Sequence, residues 1–179
     1  TDYLYESSNR GDDITALGGL ADLTSDGMDN DNDDDVDDDD EFMPVNSIGS
    51  TRALAYGGVQ GGIANQDVLY VGTGDGSVFV RTAGGGMPVV TTAPFPGGVP
   101  RDIVLDPADW ATAYVLTDDE LWTTPDAGET TWTNLTGTLA DPDLRTIVYV
   151  ETAIADGIII GGRNGVFGTL PAALPTGQW

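Results

Sequence analysis

The sequence predicts an all-β protein made of propeller-type blades, about three and a half four-stranded antiparallel units, together with an Asp-rich metal-binding loop. Glycine is abundant, at 25 of 179 residues, and the apolar residues occur in short runs rich in Val, Ile, Tyr, Trp and Thr. This composition favours many short strands joined by tight turns. A strand pattern that recurs with a period of about 44 residues then predicts blades, because propeller repeats have this length.

Each repeat contains three recognisable strands. The first strands are RALAYGG (52–58), RDIVLDP (101–107) and RTIVYVE (145–151). The second strands are predicted at 67–73, 112–118 and 156–162, and the third strands at 76–82, 119–125 and 164–170. An aromatic anchor occupies the third strand of each repeat, namely Phe79, Trp122 and Phe167. An arginine begins each repeat (Arg52, Arg101 and Arg145), and we expect it to pair with a backbone carbonyl or a carboxylate of a neighbouring blade.

The repeats divide the chain into five parts. These are the outer hairpin of a partial blade (1–25), an Asp-rich calcium-binding loop (26–44), two blades (45–98 and 99–143) and a further partial blade (144–179). Closed propellers use at least four blades. We therefore expect either that the sequence is a window on a longer polypeptide or that neighbouring copies complete the arrangement.

The acidic run at 26–41 has eleven carboxylates in sixteen residues. Six of them fall on the ligand positions 1, 3, 5, 7, 9 and 12 of an EF-hand-type loop: Asp29, Asp31, Asp33, Asp35, Asp37 and Asp40. Asp26 and Asp39 are additional candidate ligands. Because oxygen ligands suit Ca²⁺, the spacing predicts a calcium site, and the alternative is a solvated tract of charge.

The same run, DGMDNDNDDDVDDDDE, resembles the DGxDNDxDGxxD repeats of thrombospondin type 3 and dockerin-like calcium modules. It departs from them at Asn32 and Asp34, where glycine is usual, and at Asp40, which replaces a bidentate Glu. The resemblance implies calcium bound with an extracellular affinity of about 10⁻⁴ to 10⁻³ M.

Charge and composition exclude several classes of function. The formal net charge is −24, and the sequence has no Lys, His or Cys, so nucleic acid and anionic membranes are improbable partners. Zinc, copper, haem and iron–sulfur sites lose their usual ligands, and histidine or thiol catalysis is excluded. No run approaches the roughly 18 apolar residues of a membrane helix, so we expect no membrane insertion. Adaptation to a salt-rich habitat is an alternative cause of the acidity.

The segment TPDAGETTW at 124–132 resembles the Asp-box of BNR, sialidase-like propellers, through Thr124, Asp126, Gly128, Thr130 and Trp132. A weaker copy is SSNRGDDI at 7–14, which explains the tripeptide Arg-Gly-Asp at 10–12 as part of a turn rather than as an adhesion motif. In the family the box is a structural turn: its Asp accepts hydrogen bonds from the turn, its Gly has a positive φ, and its aromatic packs beneath. The arginine triad and Arg-Ile-Pro motif of catalytic sialidases have no counterpart here, so the resemblance implies no catalysis.

These observations predict a non-enzymatic, secreted or cell-surface, calcium-binding structural protein. We expect its main partner to be other copies of itself, in a surface layer or fibre. The sequon Asn134-Leu135-Thr136 predicts glycosylation at Asn134. The alternative function is that of a fragment of a carbohydrate-binding or carbohydrate-processing BNR-type propeller, whose partner is a glycan; a salt-adapted domain without an assembly role is a third class.

Overall fold

The computed structural model of this chain describes residues 4–6, 15–18, 50–84, 88–139, 143–152, 156–169 and 178–179. Every regular element among them is a β-strand, so the described part of the chain is all-β, and its largest sheet is curled. The chain divides into two compact units, Thr1–Ser50 and Thr51–Trp179. None of the described residues forms a helix long and apolar enough to cross a lipid bilayer.

In the first unit the structure describes an antiparallel pair of strands, β1 (Leu4–Glu6) and β2 (Thr15–Gly18). Glu6 lies opposite Thr15, and the register shifts at a bulge between Leu4 and Tyr5. The acidic run at 26–41, the weaker Asp-box copy at 7–14 and all eight predicted metal ligands lie outside the described residues.

The second unit contains three successive antiparallel meanders. The first meander consists of β3 (Thr51–Gln60), β4 (Ile63–Thr73), β5 (Val78–Arg81) and β6 (Val89–Val90). The second consists of β7 (Asp102–Asp106), β8 (Asp109–Leu116), β9 (Leu121–Thr124) and β10 (Thr133–Asn134). The third consists of β11 (Leu144–Val150), β12 (Gly157–Gly162) and β13 (Gly165–Thr169). A bridge between Gln60 and Asp109 joins the first two meanders into one eight-stranded sheet.

Local turn chemistry explains where the strands of the first meander reverse. Gly61 and Gly62 join β3 to β4, and their φ angles are +58° and +81°. A two-residue hairpin with both central residues at positive φ is a type I′ turn, which matches the twist of the strands and requires residues such as glycine. The glycine-rich segment at 71–77 contains the turn of the next hairpin, because β4 ends at Thr73 and β5 begins at Val78.

The second meander buries both of its faces. Successive side chains of β8 point alternately into two different apolar clusters. Ala113 and Val115 pack into a cluster with the first meander. Tyr114 and Leu116, the intervening residues, pack into a cluster with the third meander. Each of these four side chains is at least 93% buried, and full burial of one large apolar side chain contributes about 1.5–3 kcal/mol. The meanders are therefore held together by two apolar cores, one on each face of the second meander.

Polar contacts also join the meanders. The Tyr70 hydroxyl donates to the backbone oxygen of Trp110 at 2.9 Å, and the Trp132 indole donates to that of Ala93 at 3.0 Å. Between the second and third meanders, the Trp179 indole donates to the Leu135 oxygen at 3.2 Å. These bonds fix how far one meander lies along the next, because a partly buried indole N–H or phenol hydroxyl finds a hydrogen-bond partner.

All nine strands predicted from the repeats are confirmed within one to four residues. The largest difference is at β4, which begins at Ile63 rather than residue 67, because the tight turn at Gly61 and Gly62 lets the hairpin extend to its tip. The all-β class is confirmed, whereas the arrangement of the meanders as propeller blades stays a prediction.

Candidate functional site

The described residues hold no group of three or more carboxylate side chains placed to bind a metal ion. The predicted calcium ligands (Asp26, Asp29, Asp31, Asp33, Asp35, Asp37, Asp39 and Asp40) lie in the part of the chain that the structure does not describe. The calcium site therefore stays a prediction from the sequence.

A polar pocket opens where the arginines that begin the first two repeats converge. Its volume is about 410 Å³, and it is lined by Arg52, Gly74, Gly98, Val99, Arg101, Thr117, Asp118 and Asp119. The turns after β4 and β8 supply one wall, and the segment that leads into β7 supplies another. This pocket brings together two arginines, two carboxylates and a threonine hydroxyl, a set able to hydrogen-bond a polar ligand.

One arginine of the pocket is already paired. Arg101 donates to Asp118 through Nε at 2.5 Å and through Nη2 at 2.7 Å. This bidentate hydrogen bond lowers the pKa of Asp118 below its ordinary value and raises that of Arg101. Both side chains are roughly half exposed, at 40% and 52%, so solvent screens the ion pair. Within the described residues, the guanidinium of Arg52 has no such partner.

A second ion pair lies at the start of the third meander. Arg145 donates to Asp143 at 2.8 and 3.1 Å. The hydrogen bonds from Arg145, together with the charges of Arg163 and Arg101, lower the pKa of Asp143. Arg101 and Arg145 thus pair with carboxylates, but the prediction that the partners belong to a neighbouring blade is wrong for Arg101, whose partner Asp118 lies in the same repeat. Each partner lies close by in the chain, because a guanidinium at the start of an edge strand reaches the adjacent turn more easily than the next sheet.

The hairpin at 124–132 is held together by the side chains of Thr124 and Asp126. The Thr124 hydroxyl donates to Asp126 Oδ1 at 2.7 Å and accepts a hydrogen bond from Gly128 N at 2.9 Å. Asp126 Oδ2 accepts hydrogen bonds from the backbone N–H and the hydroxyl of Thr130, and these bonds lower its pKa. Gly128 has a φ of +75°, a conformation that glycine adopts without strain.

An aromatic cluster lies against this hairpin. The ring of Phe95 packs edge-on against Trp132, with centroids 5.0 Å apart, and against Trp122 at 6.2 Å. A Cβ atom on Gly128 would lie 2.5 Å from the Thr91 methyl group, so the hairpin and the first meander are in close contact. The arrangement holds the hairpin against the first meander.

Tyr70 and Tyr149 are poor candidates for nucleophiles. Burial, followed by the charges of Asp109 and Asp126, raises the pKa of Tyr70 well above its ordinary value. Burial and nearby carboxylates, Asp106 first among them, raise the pKa of Tyr149 in the same direction. Both phenols therefore stay protonated at neutral pH, which is the opposite of what nucleophilic activation requires.

Asn134 lies exposed on β10, at the edge of the second meander. Its side chain donates to Glu120 Oε1 at 3.2 Å and accepts from Thr136 N at 2.9 Å. The sequon is therefore accessible at a sheet edge, in a turn-like conformation. Its use as a glycosylation site stays a prediction.

The third meander has one apolar face that the described residues leave open. Val148, Ile159 and Val166 are 50%, 41% and 75% exposed, although their neighbours Ile147, Ile158 and Ile160 are buried against the second meander. A shallow hollow of about 300 Å³ lies on this side, lined by Val150, Thr152, Gly157, Ile158, Ile159, Gly168 and Thr169. Sequence reasoning missed this surface and the polar pocket, because both depend on side chains from separate turns and strands.

Comparison of the chain with known protein families finds no match, and comparison with curated proteins finds none either.

Proposed function

We propose that this chain is a non-enzymatic, extracellular, calcium-binding structural protein that assembles with copies of itself in a surface layer or fibre. The main support for assembly is that the meanders pack one on the next in chain order. The first meander packs on the second, the second packs on the third, and the third has an apolar face that includes Val148, Ile159 and Val166. A meander from another copy can pack on this exposed face and so extend the series of packed meanders. Large exposed apolar faces mark protein–protein interaction sites.

Two features support propeller-type blades of the BNR kind as the building unit. The first two meanders each have four antiparallel strands in chain order, and consecutive meanders pack face to face. The hairpin at 124–132 has a hydrogen-bonded Asp126, a glycine at positive φ and a tryptophan packed beneath it. These are the structural roles that the Asp-box resemblance implies.

The sequence supports the calcium part of the proposal. Eleven carboxylates within sixteen residues repel one another by about 1 kcal/mol for each close pair even in water. A bound Ca²⁺ relieves that repulsion, and the ligand spacing at Asp29, Asp31 and Asp33 matches an EF-hand-type loop. In this proposal calcium orders the acidic insert and thereby promotes assembly.

The test is the assembly state with and without calcium. Sedimentation velocity and electron microscopy of the purified chain are expected to show large, ordered assemblies in 5 mM CaCl₂ (about five to fifty times a Kd of roughly 10⁻⁴ to 10⁻³ M) and their dispersal in EDTA. Ca²⁺ titration by calorimetry is expected to release or absorb heat. A monodisperse monomer in both conditions contradicts the assembly role, and a flat titration contradicts the calcium role.

A matched pair of variants separates specific ligation from loss of charge. Asp29→Ala/Asp31→Ala removes two predicted ligands, whereas Asp12→Ala/Asp13→Ala removes the same charge outside the acidic run. We expect the first pair to abolish calcium-dependent assembly and the second to preserve it. Equal effects from both pairs contradict specific ligation.

The polar pocket favours a second candidate function, binding of a carbohydrate by a propeller of which this chain is a part. Sugar hydroxyls and carboxylates hydrogen-bond guanidinium and carboxylate groups, and Arg52 and Asp119 line a pocket of about 410 Å³. Screening of a monomeric sample against a glycan array tests this function. Binding that Arg52→Ala abolishes favours it, and no binding by a sample that assembles with calcium favours the structural role.

A further inference from the structure

Four of the six arginines of the chain lie at the corresponding end of their meanders, although the formal net charge is −24. In each antiparallel meander the start of the first strand pairs with the end of the second strand, so both lie at this end. Arg52, Arg101 and Arg145 lie at the starts of the first strands, and Arg163 lies in the turn after β12. These ends therefore collect most of the positive charge of the chain.

Two of these four guanidinium groups are unpaired within the described residues. Arg101 and Arg145 form the two ion pairs with nearby carboxylates, whereas the side chains of Arg52 and Arg163 make no hydrogen bond or ion pair there. Both unpaired groups are exposed. Of the two, only Arg52 lines the polar pocket. Its guanidinium is therefore the one that a ligand in the pocket can reach.

The pocket combines this donor group with an acceptor that also has free capacity. Asp119 Oδ1 accepts a hydrogen bond from the Thr117 hydroxyl at 3.2 Å, and no donor among the described residues reaches Oδ2. Arg101 and Asp118 neutralise each other. The two arginines and two aspartates of the pocket have a formal charge of zero, on a chain of net charge −24. An anionic ligand therefore meets less repulsion here than over the acidic surface in general.

The two free groups select complementary chemistry in a ligand. A guanidinium binds a carboxylate through two parallel hydrogen bonds, and this pairing is stronger than a bond between neutral groups. A carboxylate oxygen accepts hydrogen bonds from hydroxyl groups. The pocket volume of about 410 Å³ lies within the range of small-molecule sites. A sugar acid carries one carboxylate and several hydroxyl groups on a single ring, so it satisfies both groups at once.

We propose that the polar pocket binds a uronic acid residue, with the sugar carboxylate on Arg52 and sugar hydroxyl groups on Asp119. The inference rests on the second candidate function, carbohydrate binding, and names the class of sugar. A neutral sugar leaves the Arg52 guanidinium without a charged partner. A carboxylate without hydroxyl groups leaves Asp119 without donors. Each of these is therefore expected to bind more weakly than the sugar acid.

The test is NMR titration of the ¹⁵N-labelled chain, kept in EDTA so that calcium-dependent assembly does not interfere. Galacturonate is the probe. Galactose replaces its carboxylate by a hydroxymethyl group, galacturonamide replaces it by an uncharged amide, and cyclohexanecarboxylate keeps a carboxylate on a six-membered ring without hydroxyl groups. We expect galacturonate to bind at least about tenfold more tightly than the other three, because only it forms charge-assisted bonds and hydroxyl bonds together. It is also expected to shift the Nε–Hε signal of Arg52.

Arg52→Gln is expected to abolish the preference for galacturonate over galactose. Arg163→Gln is the matched control and is expected to keep the preference, since it removes the same charge from an exposed, unpaired guanidinium that does not line the pocket.

Three results overturn the inference: loss of the preference in both variants, equal binding of galacturonate and galactose by the parent, or cyclohexanecarboxylate binding as tightly as galacturonate. Equal binding of the two sugars leaves the carbohydrate function standing and removes only the selectivity for acids. If neither sugar binds, the inference and the carbohydrate function fall together.

Discussion

Asp102 in β7 and Ile147 in β11 are joined across the interface between the second and third meanders. The carboxylate oxygen Oδ2 of Asp102 accepts a hydrogen bond from the backbone N–H of Ile147 at 2.9 Å and a second from the Thr146 hydroxyl at 2.9 Å. Its other oxygen accepts from Ile103 N at 3.0 Å. One side chain therefore fixes the separation of the first strands of two consecutive repeats.

Asp102→Ala is expected to destabilise the second unit by about 1.5–3 kcal/mol, because hydrogen bonds to a charged group are lost and the Ile147 amide is left without its acceptor. The urea midpoint of unfolding measures the change. Glu151→Ala is the control, since this exposed carboxylate hydrogen-bonds no described side chain. Equal midpoints for the two variants would show that the link between the meanders contributes nothing to stability.

Gly72→Ala tests the close contact between the first meander and the segment that leads into β7. A Cβ atom at position 72 would lie 2.5 Å from Cβ of Pro100. Since a proline ring cannot rotate away, the first two meanders have to move apart, and overpacking of this kind costs about 1–3 kcal/mol.

The control for this prediction is Gly98→Ala. Its Cβ atom would lie 4.0 Å from the nearest heavy atom, which belongs to Thr117. We expect a neutral or slightly stabilising effect, because alanine lowers the entropy of the unfolded chain. The melting temperatures of both variants measure these effects. A Gly72→Ala variant as stable as the parent contradicts the close contact between Gly72 and Pro100.

Strand positions were predictable because a strand that is buried on both faces reads as a short continuous run of apolar residues. Val115 and Leu116 illustrate the point: adjacent in sequence, they enter two different cores. The two-residue strands β6 and β10 were not predictable, since two residues carry no periodicity. The contact from Trp179 to Leu135 was also beyond sequence reasoning, because it joins positions 44 apart.

The two candidate sites also differ in how far the sequence alone could predict them. The ligand spacing in the acidic run is a local pattern, so the sequence alone predicts a calcium site there. The polar pocket combines Arg52, Arg101 and Asp119 from three separate segments of the chain, and only the fold brings them together. An arginine at the start of every repeat was the one signal in the sequence, and it indicated ion pairs rather than a pocket.

Asp126 makes the hairpin at 124–132 sensitive to acid. Hydrogen bonds from Thr130 and Thr124 lower its pKa in the folded state relative to the unfolded chain. A carboxylate whose pKa is lowered by folding contributes stability above its unfolded pKa of about 3.9 and loses that contribution as the pH falls further. The stability difference between the parent and Asp126→Asn is therefore expected to be constant above about pH 5 and to shrink below pH 4.

Urea unfolding at several pH values measures this difference. Because both proteins share the rest of the acidic surface, subtracting one curve from the other removes the general effect of neutralising it. Glu151→Gln removes the same charge from an exposed side chain and separates the local effect from the loss of one charge. A difference that grows as the pH falls contradicts the assignment.

Thr91 and Thr124 are both buried, at 5% and 0% exposure, but their hydroxyl groups have opposite surroundings. The Thr124 hydroxyl donates to Asp126 and accepts from Gly128 N, whereas the Thr91 hydroxyl has no hydrogen-bond partner among the described residues. Valine has nearly the same shape as threonine. The same substitution at the two positions therefore isolates the hydrogen bonds from the packing.

Thr124→Val is expected to destabilise the second unit by about 1–3 kcal/mol, because it leaves the Gly128 amide without its acceptor in a buried turn. Thr91→Val is expected to be neutral or to stabilise by up to about 1 kcal/mol, because the unpaired hydroxyl already bears its desolvation cost in the folded state. Urea midpoints of the two variants and of the double variant measure both effects. Since Gly128 lies against both threonines, the double variant shows whether the effects are independent. Equal destabilisation at both positions would mean that a partner holds the Thr91 hydroxyl in solution, in which case the contact between the hairpin and the first meander is more polar than described.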